Sequence, residues 1–256
     1  MERITSVQNS KIKEAAALQD AKARRRTGLF IAEGRKLVSE LIACGIMPIR
    51  CFVREGTELP YGLDGCECYS VTDALIKKIS VMTTPQDIIA VAKEPCEREF
   101  ESKDFILALD AIQDPSNMGA ILRSAEAFGV RDVVIGEGSC DVYSQKTLRG
   151  AMGSVFRLNI HKRTLTDFLR QIKDDGYDVI GTGLDKNYTT VDKLYRYHKK
   201  VIVIGNEGNG ISDKVRDVCD VGMYIPMSGR NESLNAAVAA SIVMWENKRQ
   251  TDDKNR

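Results

Sequence analysis

Six apolar runs in the second half of the chain constrain its architecture most: "FILAL" (105–109), "DVVIG" (132–136), "SVFRLNI" (154–160), "DVIGTG" (178–183), "VIVIG" (201–205) and "VGMYIP" (221–226). None alternates strictly between apolar and polar residues, so each suits a strand covered on both faces rather than one with a wet side. Helical periodicity fills 118–128, 144–150, 164–175, 211–217 and 233–248. This alternation predicts an α/β domain with a mostly parallel sheet and helices on both faces. Ligands of such sheets collect beyond the carboxyl ends of the strands, which directs attention to the loops at 110–117, 182–188, 205–210 and 226–233.

The first hundred residues read as a smaller α/β unit. "NSKIKEAAALQDAKARR" predicts a helix capped by Asn9 or Ser10, "LFIAEG" a short strand, and "RKLVSELIACG" an amphipathic helix with a glycine stop. A strand at 49–53, a Gly- and Pro-rich loop, a helix near 72–79 and a strand at 88–92 follow. "KEPCEREFESKD" (93–104) is charged and carries no apolar period, so the predicted domains are 1–95 and 104–250. A length of 256 residues accommodates both.

Composition excludes several classes. No apolar run approaches the roughly 18 residues of a membrane span, and no secretory leader is visible, so a cytoplasmic protein is expected. Seven cysteines, an odd number scattered through both halves, suit free thiols in a reducing compartment. Cys66 and Cys68 lack a second ligand pair, and no metal is expected. Lys and Arg total 37 against 36 Asp and Glu, so net charge is silent about nucleic acid. Locally, Met1–Lys36 holds nine basic residues, Lys22, Arg24, Arg25, Arg26 and Arg35 among them, against four acidic ones. Such a patch either lies along phosphates or forms a solvated helical face.

Three loops concentrate polar residues at the expected ligand edge. In "LDAIQDPSNMGAILRSAEAFG", Asp114-Pro115 makes a turn, Asn117 is placed to cap a helix, and Met118, Ile121, Leu122, Ala125 and Phe128 form one stripe facing the sheet. Arg123 falls on the opposite side, either in solvent or facing a phosphate with its planar fork of donors. "VIVIGNEGNGIS" offers backbone N–H groups after a strand, but its spacing is not a dinucleotide fingerprint or a P-loop, and Glu207 would repel a phosphate. In "IPMSGRNESLNAAVAA", Ser233 is a natural cap, and Ala236, Ala237, Ala239 and Ala240 permit close backbone approach.

Together, "DPSNMGAILRSAEAFG", "GNEGNGIS" and "IPMSGRNESLNAAVAA" resemble the three motifs of the SpoU group of RNA 2′-O-methyltransferases, in the knotted SPOUT superfamily; "RGAMGSVFRL" (149–158) is also similar to a family segment. The resemblance spans roughly 105–247. The pieces "NSKIKEAAAL", "GLFIAEGRKLV" and "TTPQDIIAVA" resemble the small RNA-binding domain that precedes many ribosomal-RNA members. Ser116 and Asp87 stand where glycine is usual.

The resemblance implies a sheet whose carboxyl-terminal segment is threaded as a deep trefoil knot binding S-adenosylmethionine, and a homodimer through the knotted domain with 233–248 as contact. Its cofactor positions fall on Gly205, Ile225 and Leu234, with Thr182 and Met227 as neighbours; its catalytic and substrate positions fall on Asn117, Arg123, Glu207, Ser233 and Asn235. Lys22, Arg24, Arg25, Arg26 and Arg35 are the expected RNA contacts of the front domain. The implied activity is methylation of a ribose 2′-hydroxyl, in large-subunit ribosomal RNA by analogy with members that carry a front domain. A transfer-RNA methylase, or a catalytically silent RNA-binding or ribosome-assembly protein, are the competing readings.

Overall fold

The computed structural model describes residues 1–101, 104–228 and 233–254. The chain forms two compact units: Met1–Cys96 with Asp141–Phe156, and Glu97–Cys140 with Arg157–Arg256.

In the first unit β1 (Glu2–Ile4) leads to α1 (Ser10–Ala17), α2 (Ala21–Thr27), β2 (Leu29–Glu33), α3 (Arg35–Ala43), β3 (Arg50–Arg54), β4 (Glu67–Val71), α4 (Asp73–Ile79) and β5 (Ile88–Lys93). The sheet order is β1-β4-β3-β5-β2, parallel across β1, β4 and β3 and antiparallel where β5 meets β3 and β2. Strands β1 and β4 are additions to the sequence expectation: three residues of β1, and polar alternation in "ECYSV", carry too weak a period to be read unaided. Ile12, Ala15 and Leu18 pack with Leu75, Ile76 and Ile79 of α4 over Phe52, Tyr69, Ile89 and Val91.

The single helix predicted over 9–25 is two helices. Asp20 caps α2 by accepting from Lys22 N at 2.6 Å, and Arg24 Nη1 donates back to the carbonyls of Leu18 and Gln19 at 2.8 and 3.0 Å, closing the end of α1. Arg24 also pairs with Asp141 at 2.7 Å and is only 7 % exposed. It is therefore a strut, not the RNA contact expected from its place in a basic run.

Asp141 introduces the main departure from the expected domain layout. Residues 141–156, placed by sequence inside the 104–250 domain, belong with the first unit. Their helix α6 (Gln145–Ala151) is tied there by Gln145 Nε2 donating to the Ile31 carbonyl at 2.8 Å, while Phe30 stacks on Tyr143 and Phe156. Apolar packing of this excursion overrides chain continuity. Residues 154–156 turn as a short 3-10 helix rather than opening the strand predicted at 154–160.

The second unit contains β6 (Phe105–Leu109), α5 (Pro115–Ala127), β7 (Asp132–Gly136), β8 (Asn159–Arg163), α7 (Leu165–Asp174), β9 (Asp178–Thr182), β10 (Thr189–Thr190), β11 (Lys200–Ile204), α8 (Asp213–Arg216), β12 (Val221–Tyr224) and α9 (Ala236–Lys254). The seven strands run in the order β10-β12-β9-β11-β6-β7-β8, and every pairing is parallel. All residues of β6, β7 and β11 are buried, as their apolar runs require, and the charged first residues Asp132 and Lys200 are buried with them. Ile106, Ala108, Val201 and Val203 face Leu165, Phe168, Leu169 and Ile172 of α7. Alternation turns Leu107, Leu109, Ile202 and Ile204 to the other face. There α9 packs along both α5 and β11.

Candidate active site

Strands β12, β9, β11 and β6 are consecutive neighbours, so the loops leaving their carboxyl ends meet. A cavity of about 330 Å³ opens among three of these loops. All five expected cofactor residues line it: Thr182 at the end of β9, Gly205 after β11, and Ile225, Met227 and Leu234 after β12. Ile204, Met223 and Val243 add apolar wall, and Glu207 and Ser233 add polar atoms. Thr182 Oγ1 donates to the Val203 carbonyl at 2.8 Å, locking the ends of β9 and β11 together. The bridge Gly229, Arg230, Asn231 and Glu232 lies outside the described residues.

Gly205 is required by close backbone approach. The next residues fold back through Asn206 N to Gly210 O (2.8 Å) and Gly210 N to Asn206 O (2.9 Å). A Cβ on Gly205 would stand 2.2 Å from both Gly210 C and Ile211 N. The cavity's size, its mixture of apolar side chains with a few hydroxyl and backbone groups, and this glycine cradle fit a ligand with a flat apolar ring and polar arms, as S-adenosylmethionine has. A second cavity of about 420 Å³ shares Thr182, Gly183, Leu184, Gly208 and Gly210 with the first and is bordered by Tyr188, Arg216 and Cys219. The Tyr188 ring fills the space that side chains at Gly183 and Gly222 would need.

Three of the five expected catalytic residues form one chain of hydrogen bonds. Glu207 Oε1 accepts from Asn117 Nδ2 at 2.9 Å and from Asp114 N at 3.1 Å, and Oε2 accepts from Gln113 N at 3.2 Å. Asn117 Oδ1 accepts from Asn235 Nδ2 at 2.9 Å. Asn235 Oδ1 in turn accepts from Ala237 N at 2.9 Å and Val238 N at 3.3 Å. Loops 110–117, 205–210 and 226–235 are thus joined by side chains with every polar atom assigned.

This geometry corrects two expectations. Asp114, not Asn117, caps α5, accepting from Ser116 N at 2.8 Å with Pro115 in the first turn. Asn235, not Ser233, caps α9, which begins at Ala236 rather than 233 and runs on to Lys254. Each correction frees the named residue for the site: Asn117 is turned inward, 9 % exposed, and Ser233 faces the cavity. The local sequence held several eligible caps, and tertiary partners chose among them.

Partial desolvation of the Glu207 carboxylate would raise its pKa, but donation by Asn117 and by the backbone N–H groups of Glu207, Gln113 and Asp114 outweighs this and holds it below the usual carboxylate range. A depressed folded pKa stabilises above the unfolded value and is lost as pH falls through the folded one. Glu207→Gln should therefore cost about 1 kcal/mol at pH 7, discounted for exposure, and the gap from wild type should shrink on acidification below the ordinary Glu range. Urea unfolding of both proteins between pH 3 and 7 measures this.

Arg123 is not brought into the cavity of its own chain. Met118, Ile121, Leu122 and Ala125 of the predicted stripe are fully buried, Phe128 at its end is only half-buried, and Arg123 is exposed on the far side of α5. Of the basic residues expected at RNA, Lys22, Arg25, Arg26 and Arg35 are exposed and Arg24 is not. Arg35 Nη2 donates to the Glu58 carbonyl at 2.6 Å. Among the described residues no cluster of His, Cys, Asp or Glu could hold a metal ion, and no helix is long and apolar enough to cross a membrane.

Asn206 adds a residue to those expected, and its place between a cradle glycine and Glu207 is the sequence signal for it. Its Nδ2 donates to the Ala111 carbonyl at 2.8 Å, and its Oδ1 accepts from Gly208 N and Asn209 N at 3.0 and 3.1 Å.

Comparison with known proteins agrees with the geometry. Residues 9–90 match the profile of the MRM3-like substrate binding domain. The 23S rRNA (guanosine(2553)-2'-O)-methyltransferase RlmP of Bacillus subtilis is 34% identical over 246 residues, 96% of this chain and 98% of RlmP. The AdoMet complex of the SpoU methyltransferase AviRb from Streptomyces viridochromogenes superposes with a TM-score of 0.84 at 26% identity, covering 96% of this chain and 99% of AviRb. An AdoMet-bound rRNA methyltransferase from Sinorhizobium meliloti gives 0.86 at 27% identity, over 97% of each chain. Residues 104–245 match the profile of the SpoU rRNA Methylase family, and with RlmP aligned over nearly its whole length, the chain belongs to that family.

Proposed function

We propose that this protein transfers a methyl group from S-adenosylmethionine to the 2′-oxygen of a ribose in large-subunit ribosomal RNA. The observation that carries the reading is the convergence of Glu207, Asn117 and Asn235, from three separate loops, beside a cavity lined by Thr182, Gly205, Ile225, Met227 and Leu234. The likeness to RlmP and to the substrate-binding profile supports ribosomal RNA as the acceptor.

When bound, S-adenosylmethionine supplies an electrophilic methyl group on a sulfonium. The protein's part is then positioning, because an in-line displacement needs the acceptor oxygen about 3 Å from the methyl carbon and opposite sulfur. Asn117 and Asn235, each held by the other, would present a fixed polar edge to the ribose, and Ser233 would contact ribose or phosphate at the cavity mouth. Glu207, with its oxygens committed to donors, orients the first loop rather than taking a proton. Arg123 carries a planar fork of N–H donors and no acceptor. Its role here is to hold the phosphate next to the target and to stabilise negative charge developing on the 2′-oxygen.

A homodimer through α9 completes this scheme. Arg123 projects from the exposed side of α5, which packs on α9, and Val238 and Trp245 of α9 are 47 % and 52 % exposed. A second copy docked there would bring an Arg123 to a cavity that lacks one of its own. The return of the chain after β12 to bond Asn117 through Asn235 supports threading of the carboxyl-terminal segment as a trefoil knot. None of the seven cysteines forms a disulfide, which suits work in the cytoplasm.

The test is transfer of labelled methyl to ribosomal RNA that lacks its native modifications, followed by mapping of alkali-resistant linkages. Label at one 2′-oxygen of large-subunit RNA is expected. Label on transfer RNA alone, or cofactor binding without transfer to any RNA, would overturn the reading. For the first unit, replacing Lys22, Arg25 and Arg26 together by Ala should lower the slope of log affinity against log salt by about 2 to 3, one counterion-releasing contact each. Filter binding across a salt series measures it.

A further inference from the structure

Ala111 holds a φ of +54°, one of two positive values among described non-glycine residues. It sits where β6 gives way to the loop carrying Asn117 and then α5 with Arg123. An L-residue with a Cβ enters this left-handed region only when its surroundings over-determine it. The Ala111 carbonyl accepts from Asn206 Nδ2 at 2.8 Å, and Ile112 N donates to Ser139 Oγ at 3.2 Å. Two residues further on, Glu207 collects the N–H groups of Gln113 and Asp114. The Asn206 side chain is held at its other end as well, since Oδ1 accepts from Gly208 N and Asn209 N in the loop that walls the cavity.

We propose that Asn206 is a positioning residue: it holds Ala111 in its left-handed conformation, and so transmits the shape of the cofactor loop to the loop that presents Asn117. The inference rests on the methyltransferase reading for its consequence but not for its structural content. Without the Nδ2 donor, Ala111 relaxes to negative φ, and a rotation at that point swings Gln113–Asn117 away from the cavity. The cofactor loop keeps its Asn206–Gly210 backbone pair, and it keeps the Gly208 and Asn209 bonds wherever the side chain at 206 retains its acceptor oxygen.

Three variants separate this from a simple loop-stabilising role. Asn206→Ala should lower kcat by about 10- to 100-fold, the cost of roughly an ångström of misplacement, and also weaken S-adenosylmethionine binding, because the Gly208 and Asn209 bonds go with it. Asn206→Asp keeps the acceptor for Gly208 and Asn209, so the Kd for S-adenosylmethionine should change by less than about 3-fold, but it loses the donor to Ala111 and the longer one to Glu207 Oε2 at 3.4 Å, so its kcat should fall at least as far. Adding Ala111→Gly to Asn206→Ala should recover kcat by about 3- to 10-fold, because glycine adopts positive φ without steric cost. Backbone hydrogen exchange gives the readout independent of turnover: protection at Gln113 and Asp114 should drop in Asn206→Ala and return in the double variant. Failure of the glycine to restore protection, or a wild-type kcat in Asn206→Asp, overturns the proposal. Protection lost in Asn206→Ala and restored in the double variant, beside a wild type that methylates no RNA, would instead overturn the function and leave the brace standing.

Discussion

Arg123→Ala should reduce methyl transfer by on the order of 100- to 1,000-fold, the loss typical of removing one donor aimed at a developing oxyanion. The melting temperature should stay within about 1–2 °C of wild type, because surface substitutions of this kind stay within about 0.5 kcal/mol. Arg123 is exposed, and no hydrogen bond or ion pair holds it among the described residues, so its removal leaves no buried partner orphaned. Arg123→Lys discriminates the proposed role further. Lysine keeps the charge but not the planar pair of donors, so activity should be intermediate, with most of the loss in kcat. Single-turnover transfer at saturating S-adenosylmethionine makes the measurement. Full activity in Arg123→Lys would refute a role that depends on the guanidinium fork, and a melting temperature lowered by several degrees in Arg123→Ala would indicate a structural residue.

Gly205→Ala should abolish cofactor binding through sterics alone. A methyl group at this position would lie 2.2 Å from two backbone atoms, Gly210 C and Ile211 N, and 2.5 Å from Gly210 O, all parts of a turn closed on itself. Backbone atoms do not rotate away as a side chain would. The turn must move, and it carries Asn206 and Glu207 with it. Overpacking of this kind costs about 1–3 kcal/mol and occasionally more. Binding of S-adenosylmethionine should weaken by more than about 100-fold, since a shift in 206–210 deforms the cavity wall and the Glu207–Asn117 bond together. Gly208 is a useful control: only Asn206 Oδ1, at 3.7 Å, lies near its added Cβ, so Gly208→Ala should bind within about 3-fold of wild type. Calorimetric titration of both variants measures the difference. Equal affinity in the two would mean that the turn opens freely and that Gly205 forms no cradle.

Much of the second unit was legible before the structure. Unbroken apolar strands implied burial on both faces, and β6, β7 and β11 are buried throughout. The 3.6-residue period of α5 separated Met118, Ile121, Leu122 and Ala125 from Arg123 correctly, because a helix face depends only on residues three and four apart. The five expected cofactor positions gather at one cavity because they follow adjacent strands, a consequence of parallel topology.

What sequence could not decide were contests among equally eligible local partners. Asp114 and Asn117 both suit a helix start, as do Ser233 and Asn235; Arg24 looks no different from Arg25 and Arg26. Each was resolved by a partner far away in the chain. Asn117 meets Glu207 across 90 residues and Asn235 across 118, and Arg24 meets Asp141 across 117. The same holds for residues 141–156, whose helix was predicted but whose allegiance depends on Phe30 stacking with Tyr143 and Phe156. Propensity and periodicity act over a few residues, so the sequence by itself determined most elements of the second unit, their buried faces and the sheet edge at which the polar loops gather. Which polar side chain serves a cap, a strut or the site depends on desolvation and hydrogen bonding between distant segments, and only the tertiary structure decided that.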